Sequence, residues 1–478
     1  MANRIYFANQ QVSFRRDGAH SGAYGFQHGE RNIGPNTDDG QSPWIAAHGV
    51  QSAAVTTTFN LEQAFELGQL SIYENIEGIP DIEVSLTKVL DGYPLLYHLA
   101  TNEIGPTGTE TAPTGAGGVT LPTTHPHGPT LAGRSNAKSI VALGIWPDTQ
   151  DQAEGDPSNQ MEASGMFCSS ITYNFPLEDN FTEDLTVVGN NKGWNNGATA
   201  EFIDCSTPDW VPDRAAGQFD GSDVPKASGT NAPLGWIWKD ANYGSDGMGG
   251  GTVWHTGEVS QQGNVNRREN LYFATSGEAL ANQAEGFDYV RLPSEIPGVD
   301  TNGWISPTQN TSNEAHVQSI TVSTDLGREE LFELGTRQPY ARIVTFPVEV
   351  TCDIEMLSLS GDLIQGLADG CGASTDQCTG IVDNLSNQTI RIATCEGTRI
   401  FIGDKNKLAS VNYGGGDAGG GNVTVTYSYT TFNDFTVLHP QDPNASGSGW
   451  WTSRSGFLQT LTDANKATAV EAFYPADA

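Results

Sequence analysis

Between Val348 and Met356 the chain alternates without a break. Val348, Val350, Cys352, Ile354 and Met356 are apolar, and Glu349, Thr351, Asp353 and Glu355 between them are polar. Period two over such a run predicts a strand with one face on a core and an acidic face turned outward. The same alternation appears upstream, where Ile82, Val84 and Leu86 stand against Glu83, Ser85 and Thr87. It appears again downstream in VTVTYSYT, where Val423, Val425, Tyr427 and Tyr429 share a side. Val317, Ile320 and Val322 mark a further strand. After it, LGREELFELG predicts one short helix, with Leu331, Phe332 and Leu334 clustered on a face and Gly335 where a helix stop is expected.

The pattern is written twice. Val50–Pro80 aligns with Val317–Pro347 at a constant offset of 267, with 13 identities over 31 ungapped positions. They include VQS at the start, FELG inside and the closing proline. A second block, ITYNFPLEDNFT (Ile171–Thr182), matches VTYSYTTFNDFT (Val425–Thr436) at an offset of 254. Two collinear blocks point to an internal duplication. The predicted organisation is a first copy over 1–190, a loop-rich insertion over 191–265, a second copy over 266–445 and a tail over 446–478. Each copy reads as a β-sandwich or β-barrel with one short helix, so the fold class is mainly β. The Gly/Pro/Thr-rich stretch 101–136 and its shorter counterpart 361–387 are long loops. The insertion holds Trp194, Trp210, Trp236, Trp238 and Trp254 among Gly, Asn and Asp, and the tail carries a short helix near 463–473.

Charge narrows the partners. With 57 acidic and 23 basic residues the net charge is −34. A surface that grips nucleic acid needs clustered Lys and Arg, so such binding is excluded. No apolar stretch is long enough for a membrane span, and the N-terminus lacks the apolar core of a signal peptide. That predicts folding in a cytoplasm with reduced thiols. Cys168, Cys205, Cys352 and Cys395 read as core or loop residues, and Cys371 and Cys378, in CGASTDQC, are candidates to pair only under oxidising conditions.

Catalytic motifs are missing. There is no GxxxxGK[ST], HExxH or GxSxG. His125 and His127 stand in a Pro/Gly loop without a third ligand in view. Asp220–Asp223 and Ser245–Gly251 resemble fragments of calcium loops without the distal bidentate Glu. The expectation is no enzyme, no metal and no cofactor.

The segment DLGREELFELGTRQPYARIVTFPVEVTCDIE resembles the tail tube proteins of long-tailed bacteriophages. Through the repeat, the resemblance extends to both copies. It implies stacked rings, each subunit giving strands to a continuous barrel around a channel. A chain holding two such domains implies a trimeric ring with pseudo-sixfold symmetry. The implied partners are further copies of itself and other tail proteins: tip and terminator, with a sheath if the tail contracts. The implied location is the virion tail, assembled in the host cytoplasm. DNA passes through without specific binding, which an acidic channel favours because it repels the phosphate backbone. The lumen-facing candidates are Glu83, Glu349, Asp353 and Glu355. Two other readings stay open. One is another self-assembling shell protein, a capsid decoration or surface-layer subunit. The other is a virion-associated carbohydrate-binding or depolymerase protein, which the tryptophan-rich segment and the many acids favour.

Overall fold

A computed structural model describes residues 5, 10–16, 45–47, 49–68, 72–91, 95–101, 138–145, 159–195, 265–271, 273, 290–300, 303–305, 315–335, 339, 341–358, 361–362, 364, 386–394, 398–414 and 421–438. The described chain is mainly β. Its strands are β1 (Gln10–Arg16), β2 (Ile45–Ala46), β3 (Val50–Thr58), β4 (Leu61–Phe65), β5 (Ile72–Glu77), β6 (Asp81–Val89), β7 (Ser139–Ile145), β8 (Asn159–Pro176), β9 (Thr182–Gly189) and β10 (Asn191–Asn195). They continue with β11 (Val317–Asp325), β12 (Arg328–Leu331), β13 (Ala341–Val344), β14 (Glu349–Leu357), β15 (Arg391–Ala393), β16 (Arg399–Phe401), β17 (Lys407–Gly414), β18 (Thr424–Phe432) and β19 (Thr436–Leu438). The α-helix is α1 (Leu96–Ala100).

One sheet organises the rest. Its strands run β3, β6, β9, β8, β11, β14, β18, β17, all antiparallel. β8 is long because it serves two layers. Its first half pairs with β7 and β10, and its second half with β9 and β11. Gly165, at φ +67°, lies where the strand passes between the layers, in a left-handed conformation that glycine adopts without Cβ strain. β7, β1 and β2 continue the sheet from the first half of β8. The small sheet β15–β16–β19 lies in the second half of the chain. One hydrophobic core runs through both halves. It takes Ile82, Val84 and Leu86 from β6, and Val350, Cys352, Ile354 and Met356 from β14, the residues the alternation marked as inward.

The predicted helix in LGREELFELG is not formed. Arg328–Leu331 is β12, a strand paired with β13, and the matching LEQAF of the first copy is β4, paired with β5. The glycine signal was genuine but belongs to a hairpin. Gly68 (φ +92°) and Gly335 (φ +95°) lie just beyond β4 and β12, in the left-handed region a helix stop would also use. α1 lies elsewhere, against β1, β7, β8 and β9. Several expectations fall on residues outside those described: His125, His127, Trp210, Trp236, Trp238, Trp254, Cys205, Cys371, Cys378, Cys395, Asp220–Asp223, Ser245–Gly251, the loop 101–136 apart from Thr101, most of 361–387, and the tail helix.

Candidate assembly interface

The two halves of the large sheet repeat the same order and register of strand pairing. β3–β6 pairs Ser52 with Thr87 and Thr57 with Ile82, and β11–β14 pairs Ser319 with Glu355 and Thr324 with Val350. An offset of 267 on the first strand and 268 on the second maps one ladder onto the other. Both carry the same bulge, between Val50 and Ser52 and between Val317 and Ser319. The hairpins agree in all four shared pairs, Leu61–Glu77 with Arg328–Val344 through Ala64–Glu74 with Leu331–Ala341. β9 then corresponds to β18, since one pairs with β6 and the other with β14. β8 corresponds to β17 at an offset of 240, again with a shared bulge, between Cys168 and Ser170 and between Leu408 and Ser410. This corrects the second sequence block, which had aligned the end of β8 with β18. Both stretches alternate Thr and Tyr because both are half-buried strands, and that resemblance is of strand type rather than of position.

The halves are joined where β8 meets β11. Seven register pairs run from Ser319–Pro176 to Asp325–Ser170. Val322 and Tyr173 face each other in this ladder, and both are fully buried. Beyond the ladder, the Leu326 amide donates to the Ser169 carbonyl (2.7 Å). The β12–β13 hairpin then grips the preceding half. Arg328 Nε donates to the Cys168 carbonyl (2.7 Å), and its guanidinium lies 5.1 Å from the Phe167 ring centroid. Arg342 reaches Asn190 (3.0 Å) and Asp81 (3.3 Å) and pairs with Glu330. Arg342 is buried, which gives its contacts more weight than surface pairs carry, although Asp81 on the other side is half exposed.

The corresponding strands at the two ends of the sheet have no such neighbour. Among the described residues β3 pairs only with β6, and β17 only with β18. Exposure follows directly. Leu326 is 1% exposed and its counterpart Phe59 is 69% exposed. Tyr173 is 0% exposed and its counterpart Tyr413 is 49%. Leu61, Phe65, Leu67, Tyr73 and Phe432 add to the apolar surface at these two edges and on the β4–β5 hairpin. Long, exposed edges of this kind invite pairing with another chain.

The sheet face opposite the core is mostly polar, with apolar exceptions that include Val188, opposite Glu83, and Phe432, opposite Glu349. Glu83, Glu349, Asp353 and Glu355 all lie on it, Glu83 and Glu349 exposed and the other two half-buried. Asp81, Asp184 and Asp325 share the face by register. Hydroxyls and carboxylates tie neighbouring strands across it. Thr87 Oγ1 donates to Asp184 (2.6 Å), Asn174 Nδ2 donates to Asp184 (2.8 Å), Ser319 Oγ donates to Glu355 (3.1 Å), and the Ser323 and Thr351 hydroxyls bond at 2.7 Å.

One cluster escaped the sequence reading. Lys88 and Glu183 are fully buried in the first half, where β14 and β18 have Met356 and Val425. Lys88 Nζ donates to Asp91 (2.5 Å) and to the Val89 carbonyl (2.7 Å). Glu183 accepts the Leu96 and Tyr97 amides at the start of α1 (2.7 and 3.0 Å) and the Tyr173 hydroxyl (2.8 Å). Burial pushes the Glu183 carboxyl up, against those hydrogen bonds and the nearby Lys88 charge. The signal was available: Lys88 continues the inward phase of Ile82, Val84 and Leu86, and a charge in that phase must be paired. Among the described residues no three His, Cys, Asp or Glu side chains gather as a metal cluster, and no helix is long and apolar enough to cross a membrane. Trp194, on β10, is exposed rather than packed in a core.

No family matches the chain. No curated protein matches it. Among solved structures, it is similar to the tube-terminating cap of the anti-feeding prophage, with 11% identity and a TM-score of 0.23 over 41% of this chain and 93% of the other. It is also similar to a chain of the anti-feeding prophage baseplate, with 10% identity and a TM-score of 0.25 over 42% of this chain and all of the other.

Proposed function

We propose that the chain is a virion structural protein of a phage tail, the subunit of stacked rings that form a tail tube and conduct DNA. The observation that carries this reading is the sheet itself. Two equivalent four-stranded units are already joined edge to edge inside one chain, and the strands left at the outer edges are the equivalents of those joined. A contact that repeats head to tail generates a closed ring when its rotation closes. With two units per chain, three chains fill six positions, and closure removes every exposed edge of the sheet.

On this reading the polar face lines the channel and the core lies outside it. Glu83, Glu349, Asp353 and Glu355 then repel the phosphate backbone in a narrow lumen, where screening over about 8–10 Å leaves much of the field intact. The duplication explains why one chain carries the same strand and hairpin twice. Negative-stain electron microscopy of the expressed chain tests the reading: hollow rings or tubes are expected, and a flat lattice overturns it in favour of a shell protein. A glycan-binding screen decides against the carbohydrate reading if no sugar is retained. The lumen assignment has its own test. Replacing Glu349, Asp353 and Glu355 with Lys leaves rings intact and slows DNA ejection from virions, and ejection at the normal rate contradicts it.

A further inference from the structure

We propose that β3 of one chain pairs with β17 of the next copy in the register that β11 and β8 use inside the chain, with the β4–β5 hairpin seated against the β17–β18 side of that neighbour. The inference rests on the ring reading and specifies its contact. Subtracting 267 from each β11 residue and adding 240 to each β8 residue transfers the internal ladder to the outer edges. Thr321–Asn174 becomes Ala54–Gly414, and Val322–Tyr173 becomes Val55–Tyr413. Ser323–Thr172 becomes Thr56–Asn412, Thr324–Ile171 becomes Thr57–Val411, and Asp325–Ser170 becomes Thr58–Ser410. The bond from the Leu326 amide to the Ser169 carbonyl becomes one from Phe59 to Ala409.

The side chains at the two edges fit this partner. Inside the chain the hairpin grips with cations: Arg328 on Phe167, and Arg342 on Asp81 and Asn190. At the outer edges the hairpin positions are Leu61 and Asn75, and the receiving positions are Lys407, Glu349 and Phe432. The charged grip is replaced by an apolar one, with Leu61 on the aliphatic stem of Lys407 and Phe59 and Phe432 covered. This accounts for a feature that is otherwise costly. The β4–β5 strands are exposed almost throughout, and β12 and β13, docked on their own neighbour, are mostly half-buried or buried. The register also keeps the faces continuous. Val55 and Tyr413 extend the core side, and Thr56 and Asn412 extend the polar side, where a slip of one residue would invert both.

Disulfide trapping in assembled rings tests the register. Directly opposed residues of an antiparallel pair lie about 4.5–5.5 Å apart, within disulfide range, and a two-residue offset moves them to about 7–8 Å. The chain with Thr56→Cys and Asn412→Cys, and the chain with Thr58→Cys and Ser410→Cys, are expected to give covalent chain-to-chain species on oxidation, ending at the closed ring. The shifted pair Thr56→Cys with Ser410→Cys, and the unaltered chain with its own six cysteines, are the controls. Efficient trapping of the shifted pair overturns the register and leaves the ring reading standing. Rings in which no pair is trapped overturn the contact alone. A chain that stays monomeric in every variant, unaltered chain included, overturns the ring reading together with the contact.

Discussion

Glu183 shows how much one residue decides. Its carboxylate holds the first two amides of α1 and the Tyr173 hydroxyl. Glu183→Ala removes the acceptor of these three bonds, and a buried donor that loses its acceptor costs about 1–3 kcal/mol. A drop in chemical-denaturation midpoint is expected, and an unchanged midpoint contradicts the role. The carboxyl also sets a pH dependence. Burial raises its folded value above the ordinary 4.5, so the folded state holds the proton more tightly than the unfolded state. Its stability contribution is therefore full below the ordinary value and is lost as pH rises through the raised one. Glu183→Gln removes that loss, so the variant gains on the unaltered protein as pH rises above about 4.5. Melting curves of both proteins across pH check this, and a constant gap contradicts it. At Cys168 burial pushes the thiol up to about 12, and burial raises Cys352 as well. Neither is expected to react with an alkylating reagent while the chain is folded, and mass spectrometry of native, treated protein shows whether they do.

At the scale of elements, β3 and β11 offer the same experiment in two settings. Val55 and Val322 occupy equivalent positions, one half-buried on an outer edge strand and one fully buried beside β8. Val322→Asp places an unpaired charge in the core and is expected to cost more than about 3 kcal/mol. Val55→Asp, at a half-buried position against the core, is expected to cost clearly less than Val322→Asp in the isolated chain yet to abolish ring formation. Equal loss of stability in both variants contradicts the assignment of β3 as an assembly edge. The strands with strict alternation, β6, β14 and β18, were legible from sequence because one face of each meets a core. The hairpins were not. Phe65, Leu67, Phe332 and Leu334 point away from the core, so their spacing carries no strand period, and a glycine with positive φ closes a hairpin as well as a helix. The four acidic candidates were found together on one face because alternation alone determines it. The partner edges were invisible, since β8 and β17 share only Ser170/Ser410 and Tyr173/Tyr413 across the equivalent stretch Phe167–Asn174 and Lys407–Gly414.

For the whole molecule, the proposed ring makes an internal joint the template for an external one. The chain has solved the contact between β8 and β11 with buried side chains, a shared ladder and a docked hairpin, and it presents the two halves of that contact again at its ends. In the proposed ring, copies that satisfy those ends in turn pair the outer edges β3 and β17, and the acidic face lies around a common axis. The stoichiometry of the assembled ring tests this most directly. Native mass spectrometry of purified rings, imaged in parallel by electron microscopy down the axis, is expected to give three chains per ring with a hollow sixfold outline modulated threefold. A compact closed trimer without a channel, or any ring of a different chain number, contradicts the account.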